Sequence, residues 1–337
     1  MGKLTFFDKA DEEKLARGWP NLIVTVSGVE KTAGRSALKA FGAIDPVYFT
    51  EWPAPVLTRY LRAKLATLKA RKRSDEWDEL AKAACAEPAA LTAAEALDCV
   101  KRAFDESDDI YPFQTEGIVY GAEAIAGTDA VLDAITAKVA PFKGKEPSAT
   151  QANMAATLGF LFLRATPAAA KSARAKLAKA SSTKDQEYAT ALDLSLHGTA
   201  AARRAVAGAN WVGLDGGMGL IGRPELEYCD DPDFVVEKVK SAKRDQSMSV
   251  RVAWLGGSET LANLASRKWM ARQLPAVVRD FGMIRAPEVV DLMLSLVGKS
   301  SVKDGPINWF RAHADYAEPI LSKAKSDIAK GVLRQLG

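Results

Sequence analysis

The spacing of apolar residues along the chain predicts a protein built mainly of helices. The segment PAPVLTRYLRAKLATLKARKR carries leucines at the spacing of one helix face, i, i+4, i+8 and i+11: Leu57, Leu61, Leu65 and Leu68. Only LIVTVSG, at residues 22–28, has the β-branched composition of a strand. We therefore expect roughly fifteen or more helices joined by short turns, after a short strand-containing lead-in.

Signals for helix ends support this division. Three pairs have the spacing of a capping box, in which two side chains satisfy free backbone N–H groups: Thr92 with Glu95, Ser148 with Gln151, and Thr183 with Gln186. Asp231 followed by Pro232 predicts a further helix start. Four glycines follow apolar periodic segments and are expected to end helices in the left-handed conformation: Gly127, Gly208, Gly282 and Gly298.

A weak internal recurrence favours a stack of helix pairs over a large bundle. The segment NWVGLDGG at Asn210 is loosely similar to AWLGGSE at Ala253, 43 residues later. The segment NWFRAHA at Asn308 is a third loosely similar segment. The first spacing falls in the range of about 40–47 residues that is typical of HEAT and armadillo units. The expected organisation has four parts: a lead-in at 1–50, helical repeats at 51–210, an irregular glycine-rich junction at 211–231, and further repeats at 232–337.

One part of the chain resembles a known family. VAWLGGSETLANLASRKWMARQLPAVVRDFGMIRAPEVVDLMLSLVG, followed by INWFRAHADYAEPIL, is similar to the helical-repeat region of large bacterial proteins related to the molybdate-metabolism regulator, which often occur beside WGR-type modules. The shared features are a Trp-Leu-Gly-Gly turn, a W…L…FG helix and the late helix with Trp309, Phe310 and His313. Where such proteins commonly have proline after that histidine, this chain has Ala314. The resemblance covers Val250 to Gly337, implies a HEAT-like fold, and carries over no catalytic residues.

Composition agrees with a globular protein and limits its chemistry. Of 337 residues, 48% are hydrophobic and 26% charged, with a net charge of +4. Three cysteines without C-x-x-C spacing and two distant histidines do not supply a zinc-finger ligand set, and they suggest a reduced, cytoplasmic setting. The N-terminus lacks the apolar run of a signal peptide, and MAATLGFLFL is too short for a membrane span.

The most suggestive motif is a G-x-G-x-x-G spacing at Gly217, Gly219 and Gly222. A dinucleotide-binding turn needs a buried strand before the first glycine and a helix opening at the third. Here a short glycine-broken segment precedes the motif, and the turn-rich sequence RPELEYCDDPD follows it. We therefore expect residues 213–222 to form an irregular insertion between helical units, with several glycines at positive φ.

A second candidate resembles a phosphate-binding loop. After LIVTVSG, the residues Gly34, Arg35 and Ser36 precede an expected helix. The spacing from Gly28 is one residue too long, and arginine replaces the lysine of a P-loop. We favour a strand-turn-helix lead-in without a nucleotide, so no cofactor is predicted.

Basic side chains form a stripe on the helix expected at residues 53–73. Phosphate binding uses such a stripe as its electrostatic footprint, whereas the more ordinary interpretation is the solvated face of an amphipathic helix. The candidate contacts for a partner or a nucleic acid are six: Arg59, Arg62, Lys69, Arg73, Trp211 and Arg223.

Other notable residues have structural interpretations. The acidic runs at 105–109 and 228–233 lack the ligand spacing of a calcium loop, and are expected to be a helix end and helix caps. His197 should lie in a last helical turn and His313 on a helix, with no nucleophile beside either. The tryptophans of the second half are expected to be core anchors more than a base-stacking platform: Trp211, Trp254, Trp269 and Trp309.

Two functions remain open from the sequence. The first is a non-enzymatic α-solenoid scaffold that binds a partner protein through its concave face. The alternative is a HEAT-like nucleic-acid-binding protein, similar to a DNA-repair glycosylase, with a basic groove lined by tryptophans. No catalytic, cofactor-binding or metal-binding residue is predicted in either case, and no membrane association is expected.

Overall fold

The computed structural model describes residues 4–18, 61–62, 65, 91–105, 112–142, 147–178, 186–207, 225–241, 250–271 and 273–336. Within these ranges the chain forms 14 α-helices and a single 3-10 helix, with no β-strand longer than an isolated bridge. The predicted all-α class is therefore confirmed. The strand expected at 22–28 lies outside the described residues.

The chain forms two compact units. The middle unit contains the described residues between 17 and 207, and its helices are α2 (Ala93–Asp105), α3 (Pro112–Ala126), α4 (Thr128–Val139), α5 (Ala149–Leu161), α6 (Pro167–Leu177) and α7 (Gln186–Ala207). The terminal unit combines residues 4–16 with those from 225 onward. Its elements are α1 (Lys9–Ala16), a 3-10 helix (Glu225–Tyr228), α8 (Pro232–Ser241), α9 (Val250–Ala265), α10 (Leu274–Gly282), α11 (Pro287–Leu296), α12 (Gly305–Ala312), α13 (Ala314–Leu321) and α14 (Asp327–Leu336).

The core of the middle unit is built around α5, which packs along α7 and also contacts α3 and α4. Large side chains from three helices are fully buried there: Ile118, Tyr120, Ile135, Met154 and Phe160. Leu61 and Leu65, two of the four leucines on the predicted helix face, are also buried, as the apolar spacing requires. The apolar spacing therefore predicted these two buried positions correctly, while Leu57 and Leu68 lie outside the described residues.

An ion pair lies inside the middle unit. The Arg164 guanidinium makes two bonds of 2.8 Å to the Glu123 carboxylate, and the two side chains are 0% and 2% exposed. The same arginine donates to the backbone carbonyls of Arg17 and Gly18, and the Thr128 hydroxyl donates to Glu123. These hydrogen bonds compensate the two charges for the loss of solvent that burial entails.

The predicted helix starts are confirmed wherever the structure describes them. The Glu95 amide donates to the Thr92 hydroxyl at 3.2 Å while the Thr92 amide donates to the Glu95 carboxylate at 2.8 Å. Ser148 and Gln151 form the same reciprocal pair. Asp231 caps α8 by accepting from the amides of Asp233 and Phe234. Thr183 lies outside the described residues.

The glycine predictions divide into two groups. Gly127 and Gly298 follow α3 and α11 with φ of +84° and +81°, so these two predicted helix ends are confirmed. Gly282 is the last residue of α10, so the predicted helix end is confirmed, but its φ is not positive and the predicted left-handed conformation is wrong. A Cβ there would lie 3.0 Å from Cδ1 of Trp309, whose indole N–H donates to the Gly282 carbonyl at 2.7 Å. Gly208 lies outside the described residues.

Two further glycines bend helices internally. Gly198 in α7 has φ of +47° and ψ of −121°, and Gly257 in α9 has φ of +68° and ψ of −160°. Side chains with a Cβ rarely adopt such angles, so glycine is needed at both positions. His197 therefore ends the first half of α7, in agreement with its predicted place in a last helical turn. Both kinks fall before a hydroxyl residue, Thr199 or Ser258.

The N-terminal segment is part of the terminal unit. The Arg285 amide donates to the Thr5 carbonyl at 2.8 Å, and the Phe7 amide donates to the Met283 carbonyl at 3.1 Å. The Phe7 ring stacks on the His313 ring with 3.7 Å between centroids. His313 has φ of −127° and lies at the junction of α12 and α13, so the prediction that it sits on a helix is wrong.

Candidate functional site

A groove of about 650 Å³ is present in the terminal unit. It lies between the end of α9 with the segment that follows, the start of α10, and one face of α11. We call it the α9–α11 groove. Its lining residues are Ala262, Ala265, Ser266, Arg267, Lys268, Trp269, Leu274, Glu288, Asp291, Leu292, Ser295, Leu296 and Lys299. The volume is in the range of about 300–1,000 Å³ that is usual for ligand pockets in proteins.

The α11 wall of the groove is a single helical stripe. Its residues occur at i, i+3, i+4, i+7 and i+8: Glu288, Asp291, Leu292, Ser295 and Leu296. Residues with this spacing share one face, and the stripe spans about 12 Å at 1.5 Å per residue. Two acidic side chains therefore occupy one end of the wall, and apolar and small residues occupy the other.

Lys299 reaches the groove through a tight turn after α11. Val297 has φ of −57° and ψ of 130°, Gly298 has φ of +81°, and the Lys299 amide donates to the Leu296 carbonyl at 3.2 Å. These are the angles of a type II turn, which needs a positive φ and hence favours glycine at its third position. The turn places a cation at the end of the α11 wall opposite to the acidic pair.

The α9 wall is formed by small residues. Ala262 and Ser266 are exposed and Ala265 is half-buried, at spacings of i, i+3 and i+4 on one helix face. Leu274, Leu292 and Leu296 are buried and form the apolar floor. Small residues on a helix face permit the close approach of another backbone, so this wall has room for a packed segment.

The charged side chains around the groove differ in whether they are bound to other residues of the chain. Arg267 is held by the Asn263 side chain and by the Val239 carbonyl, at 3.0 Å and 2.6 Å from its guanidinium. In the part of the chain that the structure describes, the other four charged lining residues form no ion pair: Lys268, Lys299, Glu288 and Asp291. These four side chains are thus available to an occupant of the groove.

Trp269 is the aromatic residue of the groove lining. Its ring is 5.8 Å from that of Phe281, and its buried indole N–H has no hydrogen-bond acceptor among the described residues. A buried donor without an acceptor costs about 1–3 kcal/mol. Met270, the next residue, is 40% exposed and is one of three large apolar side chains on the described surface.

The structure describes one of the six predicted contact residues, Arg62, and this residue is not in the groove lining. Arg62 is buried, with 9% of its surface exposed, and it does not lie on an open face. Arg59, Lys69, Arg73, Trp211 and Arg223 lie outside the described residues, as does the G-x-G-x-x-G segment. The contact predictions for these five residues stay predictions. The groove residues were missed because their signal, the spacing along α11, is the same in a helix face that is fully packed.

The other residues discussed in the sequence analysis occupy helix ends, exposed helix positions or the core. Asp105 is the exposed last residue of α2 and binds Lys138 at 2.5 Å, as expected of a helix end. His197 is exposed, and its Nε2 is 4.0 Å from the Asp193 carboxylate. Trp309 is buried, as predicted for a core anchor, whereas Trp254 and Trp269 are half-buried. Burial lowers the pKa of His313, whose ring lies against Phe7 and Trp309.

The described residues contain neither a metal-binding cluster nor a membrane-spanning helix. No group of three or more His, Cys, Asp or Glu side chains is arranged to hold a metal ion there. No helix among the described residues has the length and apolar character needed to cross a membrane.

Comparison with family models, with curated proteins and with solved structures finds no match to this chain. The resemblance to the molybdate-metabolism-regulator-like proteins therefore stays a prediction.

Proposed function

We propose that this chain is a non-enzymatic helical scaffold that binds a partner protein through the α9–α11 groove. The observation that carries the proposal is the composition of the groove: an apolar floor bordered by four charged side chains that form no ion pair among the described residues. Interfaces commonly combine a buried apolar centre with a polar rim. The groove has both parts.

The proposal includes the arrangement of helix pairs as a HEAT-like α-solenoid. It is supported by the recurrence at 43 residues and by the glycine-bent helices α7 and α9, in which two helical segments follow each other without a loop. A stack of this kind exposes long helical faces, and a groove between two such faces is a natural binding surface.

The test blocks the groove without touching the core. Ala262→Trp places an indole on an exposed position of the groove wall, and Ala175→Trp makes the same change on an exposed position of α6 in the middle unit. Each tagged protein is used to recover binding proteins from a lysate of the source organism. We expect one protein to be recovered in stoichiometric amount with the wild type and with Ala175→Trp, and to be lost with Ala262→Trp.

Two results would contradict the proposal. One is recovery that Ala262→Trp does not change, because the groove would then not be the binding face. The other is tight binding to DNA or RNA that weakens steeply with added salt, since this dependence identifies contacts to phosphates. That outcome would favour the nucleic-acid-binding alternative.

A further inference from the structure

The order of charges along the α9–α11 groove has a direction. Glu288 and Asp291 occupy the end of the α11 wall where that helix begins, and Lys299 follows the end where it finishes. Leu292 and Leu296 lie between them. An occupant that lies along the α11 wall therefore meets negative charge at one end of this wall and positive charge at the other.

From this order we infer that the occupant is an amphipathic helix of the partner protein, about three turns long, that runs antiparallel to α11. Its first turn is acidic and lies near Lys299, and its last turn is basic and lies near Glu288 and Asp291. This inference rests on the proposed function, and it specifies the chemistry of the partner at the same groove.

The shape of the groove favours a helix over an extended peptide. Both walls are helical faces, with α11 contributing Glu288, Asp291 and Leu292 and α9 contributing Ala262 and Ala265. A third helix packs into such a space with its own apolar ridge between the two, at axial distances of about 8–10 Å. The small α9 residues permit this approach. About eight residues of a helix match the 12 Å stripe, and one further turn extends toward Lys299, which gives about three turns in all. An extended peptide would need an unpaired strand edge, and the described lining of the groove contains helix, turn and irregular backbone but no strand.

The antiparallel direction follows from the charge preferences of helices themselves. A helix is stabilised by acidic side chains in its first turn and basic side chains in its last, because these charges oppose its dipole. Such a helix matches the groove only when its first turn lies near Lys299. The antiparallel direction also sets the dipoles of the occupant and α11 in opposite senses, which is their favourable arrangement.

A second copy of the chain is the main alternative occupant. Ile328 on α14 is 51% exposed and follows Asp327, so it offers an apolar side chain beside a charge. The first turn of α14 contains Asp327 and its last turn contains Arg334, so this helix also has the inferred order of charges. Light scattering over a range of concentrations detects this occupant as self-association.

The experiment uses two synthetic peptides and the full chain. Both peptides are 15-residue helices held by a lactam staple, with leucine and alanine on one face. One has glutamates in the first turn and lysines in the last, and the other has these charges exchanged. Each carries a photo-crosslinking group at its N-terminus, so that mass spectrometry locates that end on the protein.

The protein variants invert the groove charges. The triple variant Glu288→Lys, Asp291→Lys, Lys299→Glu is compared with a control, Glu318→Lys with Lys325→Glu, which changes exposed charges elsewhere in the terminal unit. We expect the wild type and the control to bind the acidic-first peptide about ten-fold more tightly than the inverted variant does. The crosslink of this peptide should fall near Lys299 in the wild type.

The outcomes separate this inference from the proposed function. Equal binding by the wild type and the inverted variant, an N-terminal crosslink near Glu288, or no binding of the peptide overturns the inference. Self-association that Ala262→Trp abolishes also overturns it, because a second copy then fills the groove. If Ala262→Trp still removes the natural partner while charge inversion does not, the proposed function stands and the antiparallel helix is wrong.

Discussion

Two sites, one in each unit of the molecule, treat charge in opposite ways. In the middle unit, Arg164 and Glu123 are enclosed, and each has several hydrogen-bond partners. In the terminal unit, Lys299, Glu288 and Asp291 border a groove and form no ion pair among the described residues. Enclosed charges that are fully paired stabilise one conformation, whereas accessible unpaired charges cost little in the free protein and remain available for binding. The pairing and the solvent exposure of charged side chains, more than their number, therefore distinguish a structural site from a binding site.

The largest expected effect comes from breaking the enclosed pair. Arg164→Met leaves the Glu123 carboxylate buried without its cation, so we expect the free energy of unfolding to fall by about 3–5 kcal/mol. Urea denaturation measures this change. Lys176→Met, which removes the exposed pair between Lys176 and Asp133, serves as the control and should cost no more than about 1 kcal/mol.

The double variant Arg164→Met with Glu123→Leu extends this prediction. Because neither partner is then left charged and buried, it should be more stable than Arg164→Met alone. Equal losses of unfolding free energy from Arg164→Met and Lys176→Met would show that burial does not determine how much an ion pair contributes to stability.

A smaller effect is expected from adding a methyl group to the core of the terminal unit. Gly282→Ala places a Cβ 3.0 Å from the Trp309 ring, which must shift and weaken its hydrogen bond to the Gly282 carbonyl. We expect a loss of about 1–3 kcal/mol in a urea titration. Gly331→Ala in α14 is the matched control, because its Cβ meets nothing within 4 Å. It should raise stability by up to about 1 kcal/mol through helix propensity, and a loss there would contradict the packing argument.

The next effect depends on pH. Burial lowers the pKa of His313 in the folded protein below its usual value of 6.5. As the pH falls through 6.5 the unfolded chain takes up a proton first, so the free energy of unfolding should decrease until the folded pKa is passed. The loss should stay well below the about 1.4 kcal/mol of a full pKa unit, because the ring is only half-buried.

Urea titrations between pH 7.5 and pH 5 test this prediction, with His313→Phe as the comparison. The variant keeps an aromatic ring against Phe7 and removes the titrating group, so its stability should fall less over this range. If the unfolding free energies of the two proteins change equally with pH, His313 is not the source of the pH dependence.

The smallest effect is expected at the groove itself. Asp291→Asn and Lys299→Gln should each change the free energy of unfolding by no more than about 0.5 kcal/mol, because both side chains are exposed and form no ion pair among the described residues. Their effect should appear in peptide affinity. A stability loss comparable to that of Arg164→Met would remove the contrast between the two units.

The sequence was most informative where structure is decided locally. The capping pairs Thr92 with Glu95 and Ser148 with Gln151 were predicted correctly because each bond connects residues three apart. The ends at Gly127 and Gly298 have the same local origin. Gly282 follows the same local pattern, but its role is to admit Trp309, a residue 27 positions later that no local pattern indicates.

The candidate site was not predictable for a related reason. The α11 stripe from Glu288 to Leu296 is visible in the sequence, but such a stripe faces a groove only if no neighbouring helix fills the space beside it. The burial of Arg62 shows the reverse case, in which the charge pattern suggests a solvated face and tertiary packing covers it. Whether a segment forms a helix depends mainly on residues near it in sequence. The space left between helices depends on residues that are distant in sequence.

The docking of the N-terminal segment has a consequence for biosynthesis. The Thr5 hydroxyl donates to the Arg285 carbonyl across 280 residues, and Phe7 meets His313 still later in the chain. A ribosome must therefore synthesise residues 285–313 before Thr5 and Phe7 can make these contacts. The middle unit lies between these ends in the order of translation and needs neither of them for the contacts within it. The entropic free-energy cost of closing a loop of n residues grows only slowly, as (3/2)RT ln n. Contacts between residues so distant in sequence nevertheless form slowly. Until His313 has been synthesised, Phe7 lacks the ring on which it stacks, so residues 5–7 reach their final place later than the contacts within the middle unit can form.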